Sequence, residues 1–244
     1  MSAYPGNKNV AMNSSAGYSG VVEHSGTLHS FLEHASIVIF PVVLILNLDW
    51  ASSRLYEFNL LWLLTLAIPL GVILGDFVSG IVHWAADTYG SEDMRVIGPS
   101  LVKPFRLHHV YPRDITTHGL VETTGNVCIL AVPLLSATLY LMRLLPQSGL
   151  LAFSVVCLGL MATATVATNQ FHKWAHQESP SSFARWLQRK RLVLEPAHHK
   201  RHHTEPFNVN YCITNGWLNP ILNKLKFFRR LEATLGFFGI KTTN

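Results

Sequence analysis

TNQFHKWAH closes a long apolar run with two histidines four residues apart, His172 and His176. On a continuing helix that spacing puts both imidazoles on one face, close enough to share a metal ion. Further on, EPAHHKRHH places His198, His199, His202 and His203 within six positions. Upstream, FRLHH carries His108 and His109, and GIVHWAADTYG carries His83 with Asp87 four residues later. Neutral imidazole ligates iron, zinc and copper alike, so residue type does not choose the metal. Number narrows the choice, because a zinc site closes with about four ligands and eight or more candidates here suffice for two ions. Two irons would supply dioxygen activation and hydrogen removal from an unactivated C–H bond, which no side chain performs.

The elements that must hold these histidines are apolar. The chain has 244 residues, of which 14% are charged, and a positive mean hydropathy of +0.25, values foreign to an ordinary soluble domain. The formal charge is +5, yet the basic residues flank apolar runs and form no aromatic-interleaved patch, so no nucleic-acid partner is expected. Four spans are predicted, over residues 31–50, 58–84, 126–145 and 149–170. Pro41 marks the first as kinked or re-entrant. The second exceeds the ~30 Å hydrocarbon core, so its histidine end should project from it. The turn at Pro146, Gln147, Ser148 and Gly149 makes a helical hairpin of the last two.

The fold class is therefore all-α, a multipass membrane bundle of about four transmembrane helices with a histidine-rich helical cap. Arg95, Lys103, Arg106 and Arg113 lie between spans two and three, and the region from Lys173 onward holds twelve of the 19 basic residues. The positive-inside rule then puts both termini and every histidine after position 80 on the cytoplasmic side. Residues 1–30, rich in Ser, Gly and Asn, read as a disordered tail without a signal peptide. WLNPILNKLKFF carries short apolar pieces suited to lying on the membrane.

A helix-borne H-x-x-x-H together with the H-x-x-H-H of His199, His202 and His203 resembles the membrane desaturases and hydroxylases. SGIVHWAADTYG, PFRLHHVYPRDITTHG, TNQFHKWAH, HHKRHH and NYCITNGWLN are together similar to the plasmanylethanolamine desaturase family. That family includes the CarF-type bacterial proteins and, at greater distance, the plastid phosphatidylglycerol acyl desaturases. The resemblance covers about residues 70–235 and implies a lipid desaturase domain over 31–235 followed by a C-terminal tail, 236–244. It also implies two iron ions, dioxygen as co-substrate, an external electron donor of cytochrome b5 or ferredoxin type, and a membrane phospholipid substrate. The implied product is the vinyl ether of a plasmalogen, made from a 1-O-alkyl chain. The implied membrane is the endoplasmic reticulum in a eukaryote or the inner membrane in a bacterium. Carried over, the metal ligands are His83, His108, His109, His172, His176, His199, His202 and His203, with Asp87 as ligand or orienting carboxylate. His118 and His198 match the ether-lipid branch only. GLVETTGN after His118 departs from the pattern, which has Asp-Phe there.

Plainer readings stand beside these. A solitary histidine near an interface is structural by default, which covers His24, His29 and His34. Asp76 within a span is expensive unless paired. Arg189, Lys190 and Arg191 suit phospholipid headgroups, and Trp62, Trp84, Trp174 and Trp217 suit interfacial anchoring. Cys128, Cys157 and Cys212 lack any C-x-x-C spacing and read as packing residues. A fatty-acyl desaturase or hydroxylase with the same irons is the alternative within enzymes. A non-enzymatic membrane regulator or metal-binding protein is the alternative outside them.

Overall fold

The computed structural model describes residues 27–95 and 97–243. Among these there are nine α-helices and no strand: α1 Thr27–Glu57, α2 Leu64–Thr88, α3 Lys103–Val110, α4 Leu120–Leu144, α5 Gly149–His176, α6 Ser182–Arg189, α7 Pro196–His202, α8 Asn219–Lys224 and α9 Phe227–Phe237. Thr27–Glu57, Leu61–Thr88, Leu120–Leu144 and Gly149–His176 are long and apolar enough to cross a membrane. They expose Val38, Ile45, Leu66, Leu130 and Leu150, as a lipid-facing surface allows while the helices satisfy their own backbone. Each of the four histidine-bearing segments predicted from sequence lies on or beside a helix end.

The first helix begins at Thr27, inside the stretch expected to be a tail; residues 1–26, with His24, lie outside the described residues. Pro41 neither ends α1 nor turns it back. It sits on the exposed face, where the cost is one missing N–H while the flanking turns hold the helix through to Glu57. Glu33 is buried against α4: a Cβ on Gly125 would come within 2.7 Å of Glu33 Cβ. His29 Nε2 lies 3.5 Å from Glu33 Oε1. Deeper in the bundle, Asn47 Nδ2 donates to Val43 O at 2.7 Å and across to Leu135 O of α4 at 3.1 Å. Interhelical polar contacts of this kind hold membrane helices together where the hydrophobic effect does not.

The pair that positions the chemistry is α2 with α5. Gly71 packs against Leu160, and a Cβ added at Gly75 would come within 2.6 Å of Ala164 Cβ. Small residues four apart let two backbones approach closely. Both helices run toward the same end of the bundle. His83 is eight residues beyond Gly75 and His172 is eight beyond Ala164 (83 − 75 and 172 − 164), so the crossing sets both at one height, about 12 Å further along each helix. Their ring centroids are 6.2 Å apart.

Over that end the cap is tied down by polar bonds. Trp84 is 4% exposed and donates through Nε1 to Glu232 Oε1 at 2.8 Å. It is part of a core with Tyr211, Leu222 and Phe228 and so is not the interfacial anchor expected of it; Trp62 and Trp217 are exposed. The C-terminal residues are also held, Thr243 N donating to Thr88 O at 3.0 Å and Arg106 Nη2 to Thr243 Oγ1 at 2.9 Å. Thr27, Thr243 and the clustered histidines of α2, α3, α5 and α7 lie at the same end. Cys128, Cys157 and Cys212 are buried and unpaired, as packing residues.

Gly75→Val is expected to force α2 and α5 apart, costing about 1–3 kcal/mol and lowering both the unfolding temperature and the bound metal. Gly236→Ala, where a Cβ meets nothing within 4 Å, should change neither. Thermal unfolding in detergent with metal analysis of both variants checks this; equal behaviour would remove the crossing from the account.

Candidate metal centre

Four elements deliver the imidazoles. The last turns of α2 carry His83 and Asp87, the last turn of α3 carries His108 and His109, the end of α5 carries His172 and His176, and α7 with its C-cap carries His199, His202 and His203. They resolve into two groups, His108, His172, His176, His199 and His203 in one, and His83, Asp87, His109 and His202 in the other. Within each group one ligand atom from every residue lies within 4.8 Å of all the others.

Helix geometry explains the partition. Residues four apart share a face, which keeps His172 with His176 and His199 with His203; adjacent residues diverge by about 100°. The dipeptides His108-His109 and His202-His203 are therefore split, His108 and His203 turning to the larger group and His109 and His202 to the smaller.

In the larger group the Nε2 atoms meet one another: His172 to His199 at 2.8 Å, His199 to His176 at 2.8 Å, His108 to His176 at 2.9 Å, His203 to His199 at 3.0 Å and His176 to His172 at 3.2 Å. One imidazole nitrogen offers a single proton or a single lone pair, so His199 Nε2 cannot satisfy three neighbours by hydrogen bonding. A cation at the common centre satisfies all of them. Ligands at about 2.1 Å from an ion are about 3.0 Å apart as cis neighbours of an octahedron, which matches these separations. In the smaller group Asp87 Oδ2 lies 3.1 Å from His109 Nε2, 3.4 Å from His83 Nε2 and 3.6 Å from His202 Nε2. His202 Nε2 is 3.3 Å from His109 Nε2. Residues and spacing thus fit two metal ions.

Protonation agrees. His83 Nδ1 lies 3.1 Å from Tyr211 O and His202 Nδ1 2.9 Å from Val209 O. A carbonyl only accepts, so Nδ1 carries the proton and Nε2 turns its lone pair to the centre. Burial, and after it neighbouring imidazoles, pushes His108 and His199 well below the usual histidine range. The same causes take His202 down to about 3 and His203 down to about 2.

The carbonyls of Val209 and Tyr211 belong to an irregular segment buried in the bundle end, and its polar groups are satisfied side chain by side chain. Asp76 Oδ1 accepts from Asn215 N at 3.0 Å and Gly216 N at 2.9 Å, and Oδ2 from Leu218 N at 3.1 Å. Ser79 Oγ accepts from Ile213 N at 3.0 Å. Asn219 brackets Cys212, accepting from its N at 2.9 Å and donating to its O at 2.8 Å, and Asn223 Nδ2 donates to Asn210 Oδ1 at 2.6 Å. Non-helical backbone at this depth requires such partners. Asp76 is thereby accounted for: it anchors the segment that aims His83 and His202.

His118 and His198 belong to neither group. His118 Nε2 is 3.4 Å from Asp114 Oδ2, while its carbonyl accepts from Lys173 Nζ. His198 precedes the ligand face of α7, and its Nε2 accepts from Asn219 Nδ2 at 3.0 Å. Sequence reasoning left out Asn210, Ser79, Asn219 and Asn223 as positioning residues. For the three asparagines the signal was a run of amides, Asn208 to Asn223; Ser79 carried none.

A helical membrane bundle with two histidine-rich, metal-type groups at one end is the class this geometry defines. Within that class, the sequence profile of the lipid desaturase domain matches residues 72–242, and the chain belongs to that family. It is 48% identical over 175 residues to a plasmanylethanolamine desaturase of Myxococcus xanthus, covering 71% of this chain and 61% of that protein. To plasmanylethanolamine desaturase 1 of Mus musculus it is 38% identical, over 70% of this chain and 64% of that one. Chloroplastic fatty acid desaturase 4 of Arabidopsis thaliana is 33% identical, over 68% and 50%. The matched region thus spans less than two thirds of each of these relatives. No solved structure matches the chain.

Two outcomes follow. Iron-loaded protein should hold about two ions per chain; His199→Ala and Asp87→Ala should each lose about one, and His118→Ala none, by metal analysis. Loss of both ions from either variant would mean a single shared site. The fully buried His199 and His202 have folded-state pKa values below the unfolded ~6.5, so acidification protonates the unfolded chain first. Metal-free protein should then lose on the order of 1 kcal/mol per histidine and pH unit as pH falls below about 6.5. Unfolding temperatures at pH 7.5 and 5.5 check the sign, and equal values would contradict it.

Proposed function

We propose that the protein is a dioxygen-dependent lipid desaturase that converts the 1-O-alkyl chain of an ethanolamine phospholipid into the vinyl ether of a plasmalogen. The observation that carries this reading is the convergence of eight histidines and Asp87, from four separate segments, on two adjacent groups at the end of an apolar bundle. The names of the two plasmanylethanolamine desaturases, at 48% and 38% identity, support the substrate.

Iron ions would be held by His108, His172, His176, His199 and His203, and by His83, Asp87, His109 and His202. Bound there, they supply the reduction of dioxygen that removes two hydrogens from a saturated chain. Two electrons and two protons from outside complete two waters, so an electron-donor protein is required, of cytochrome b5 or ferredoxin type. The chain's own residues hold the lone pairs of His83 and His202 inward through the Tyr211 and Val209 carbonyls, and burial keeps His108, His199, His202 and His203 neutral. The excess of basic residues around the cap supports a cytoplasmic position for this end.

A second reading, a phospholipid fatty-acyl desaturase, is favoured by the chloroplastic relative at 33% identity. Expression with an alkyl-ether phospholipid source separates the two. Acid-labile vinyl ethers, detected by mass spectrometry and lost in His172→Ala, are the expected outcome. A new acyl double bond without vinyl ether would select the second reading, and no oxidised lipid at all would overturn both.

A further inference from the structure

We infer that Arg113 and Glu178 form a clamp for the zwitterionic headgroup of the substrate, with Arg113 on the phosphate and Glu178 on the ammonium; this rests on the ether-lipid reading above. A cavity of about 290 Å³ is walled by Arg113, Thr116, His176, Gln177, Glu178 and Ser179. His176 belongs to the five-histidine group, so the cavity lies directly against the candidate metal centre. Across it Arg113 Nη1 meets Glu178 Oε1 at 2.6 Å, with side chains 72% and 71% exposed.

The reaction's own chemistry requires a headgroup subsite here. The carbon that becomes the vinyl ether is bonded to the ether oxygen. From it to phosphorus there are six covalent bonds, through the ether oxygen, the three glycerol carbons and the phosphate ester oxygen. At about 1.5 Å per bond, angled, the phosphate cannot be more than about 8 Å from the reacting carbon. A headgroup of this substrate must therefore bind against the residues that surround the metal, not at a remote surface. An acyl desaturase acting far down a chain has no such constraint.

Arg113 and Glu178 match that demand in charge and place. Arg113 follows His109 by four residues and Glu178 follows His176 by two, so each is fixed by the same short segments that carry the candidate ligands. Depth agrees as well: Gly149–His176 has 28 residues, about 42 Å of helix. That length carries His176 past a ~30 Å hydrocarbon core to the level of phosphates. Exposed ion pairs contribute little, about 0–1 kcal/mol, so the pair opens at small cost. A phosphoethanolamine headgroup replaces one ion pair by two. The guanidinium fork suits phosphate oxygens, and the carboxylate accepts from a primary ammonium but not from a quaternary one, which has no N–H.

Equilibrium binding to the purified full-length protein in detergent tests this independently of turnover. The probes are 1-O-hexadecyl-sn-glycero-3-phosphoethanolamine, its phosphocholine counterpart, and free O-phosphoethanolamine. Arg113→Gln should weaken both lipids about tenfold, the loss of one charge contact. Glu178→Gln should weaken the ethanolamine lipid alone, removing its preference over choline. Free O-phosphoethanolamine should bind far more weakly than either lipid. Unchanged affinities and headgroup ratio in both variants, each with wild-type thermal unfolding, would overturn the clamp. Equal affinity for the chain-free probe would overturn it too, by indicating a site for a soluble phosphomonoester. Clamp-dependent binding without any vinyl ether would sustain the subsite and remove the activity reading instead.

Discussion

The register of α2 against α5 is the constraint from which the rest of the site follows. Glycines on α2 bring the two backbones into contact, and because the helices run in parallel, equal distances along each arrive at equal heights. His83 with Asp87 and His172 with His176 are thereby placed side by side without any contribution from the cap. Lipid cannot drive such an approach through hydrophobicity, so close packing of small residues must. A shift of one residue would turn each histidine about 100° away.

On that platform two of the His-His dipeptides act as dividers. His108 and His109, and likewise His202 and His203, point one imidazole to each group, so α3 and α7 each contribute to both. Contribution of each short helix to both groups couples them mechanically: movement of either helix disturbs both. The buried segment around Tyr211 adds a second restraint, since its carbonyls set which nitrogen of His83 and His202 carries the proton. Asp76, a carboxylate inside a spanning helix, is tolerated there because three backbone N–H groups meet it. Without those bonds its burial would be costly.

Much of this was legible in the sequence. The four spans follow from hydropathy, and the i, i+4 spacings of His172 with His176 and His83 with Asp87 correctly indicate shared faces. The allocation of ligands between two groups was not legible, because it depends on where α3 and α7 dock, which no local pattern encodes. The same holds for His198: it stands next to His199, yet one residue of helical rotation turns it to Asn219. Trp84 resembled an interfacial anchor because aromatic residues at span ends commonly are; only the docking of α9 shows it as cap core. Pro41 looked disruptive, but the pattern that signals a kink does not reveal that its face is turned to lipid.

The claim at the centre is that two metal ions sit in unlike environments, one among five imidazoles and one among three imidazoles and a carboxylate. Mössbauer spectroscopy of the protein loaded with iron-57 tests it most directly. Two quadrupole doublets of equal area are the predicted result. A single doublet from one bound iron per chain would contradict the account.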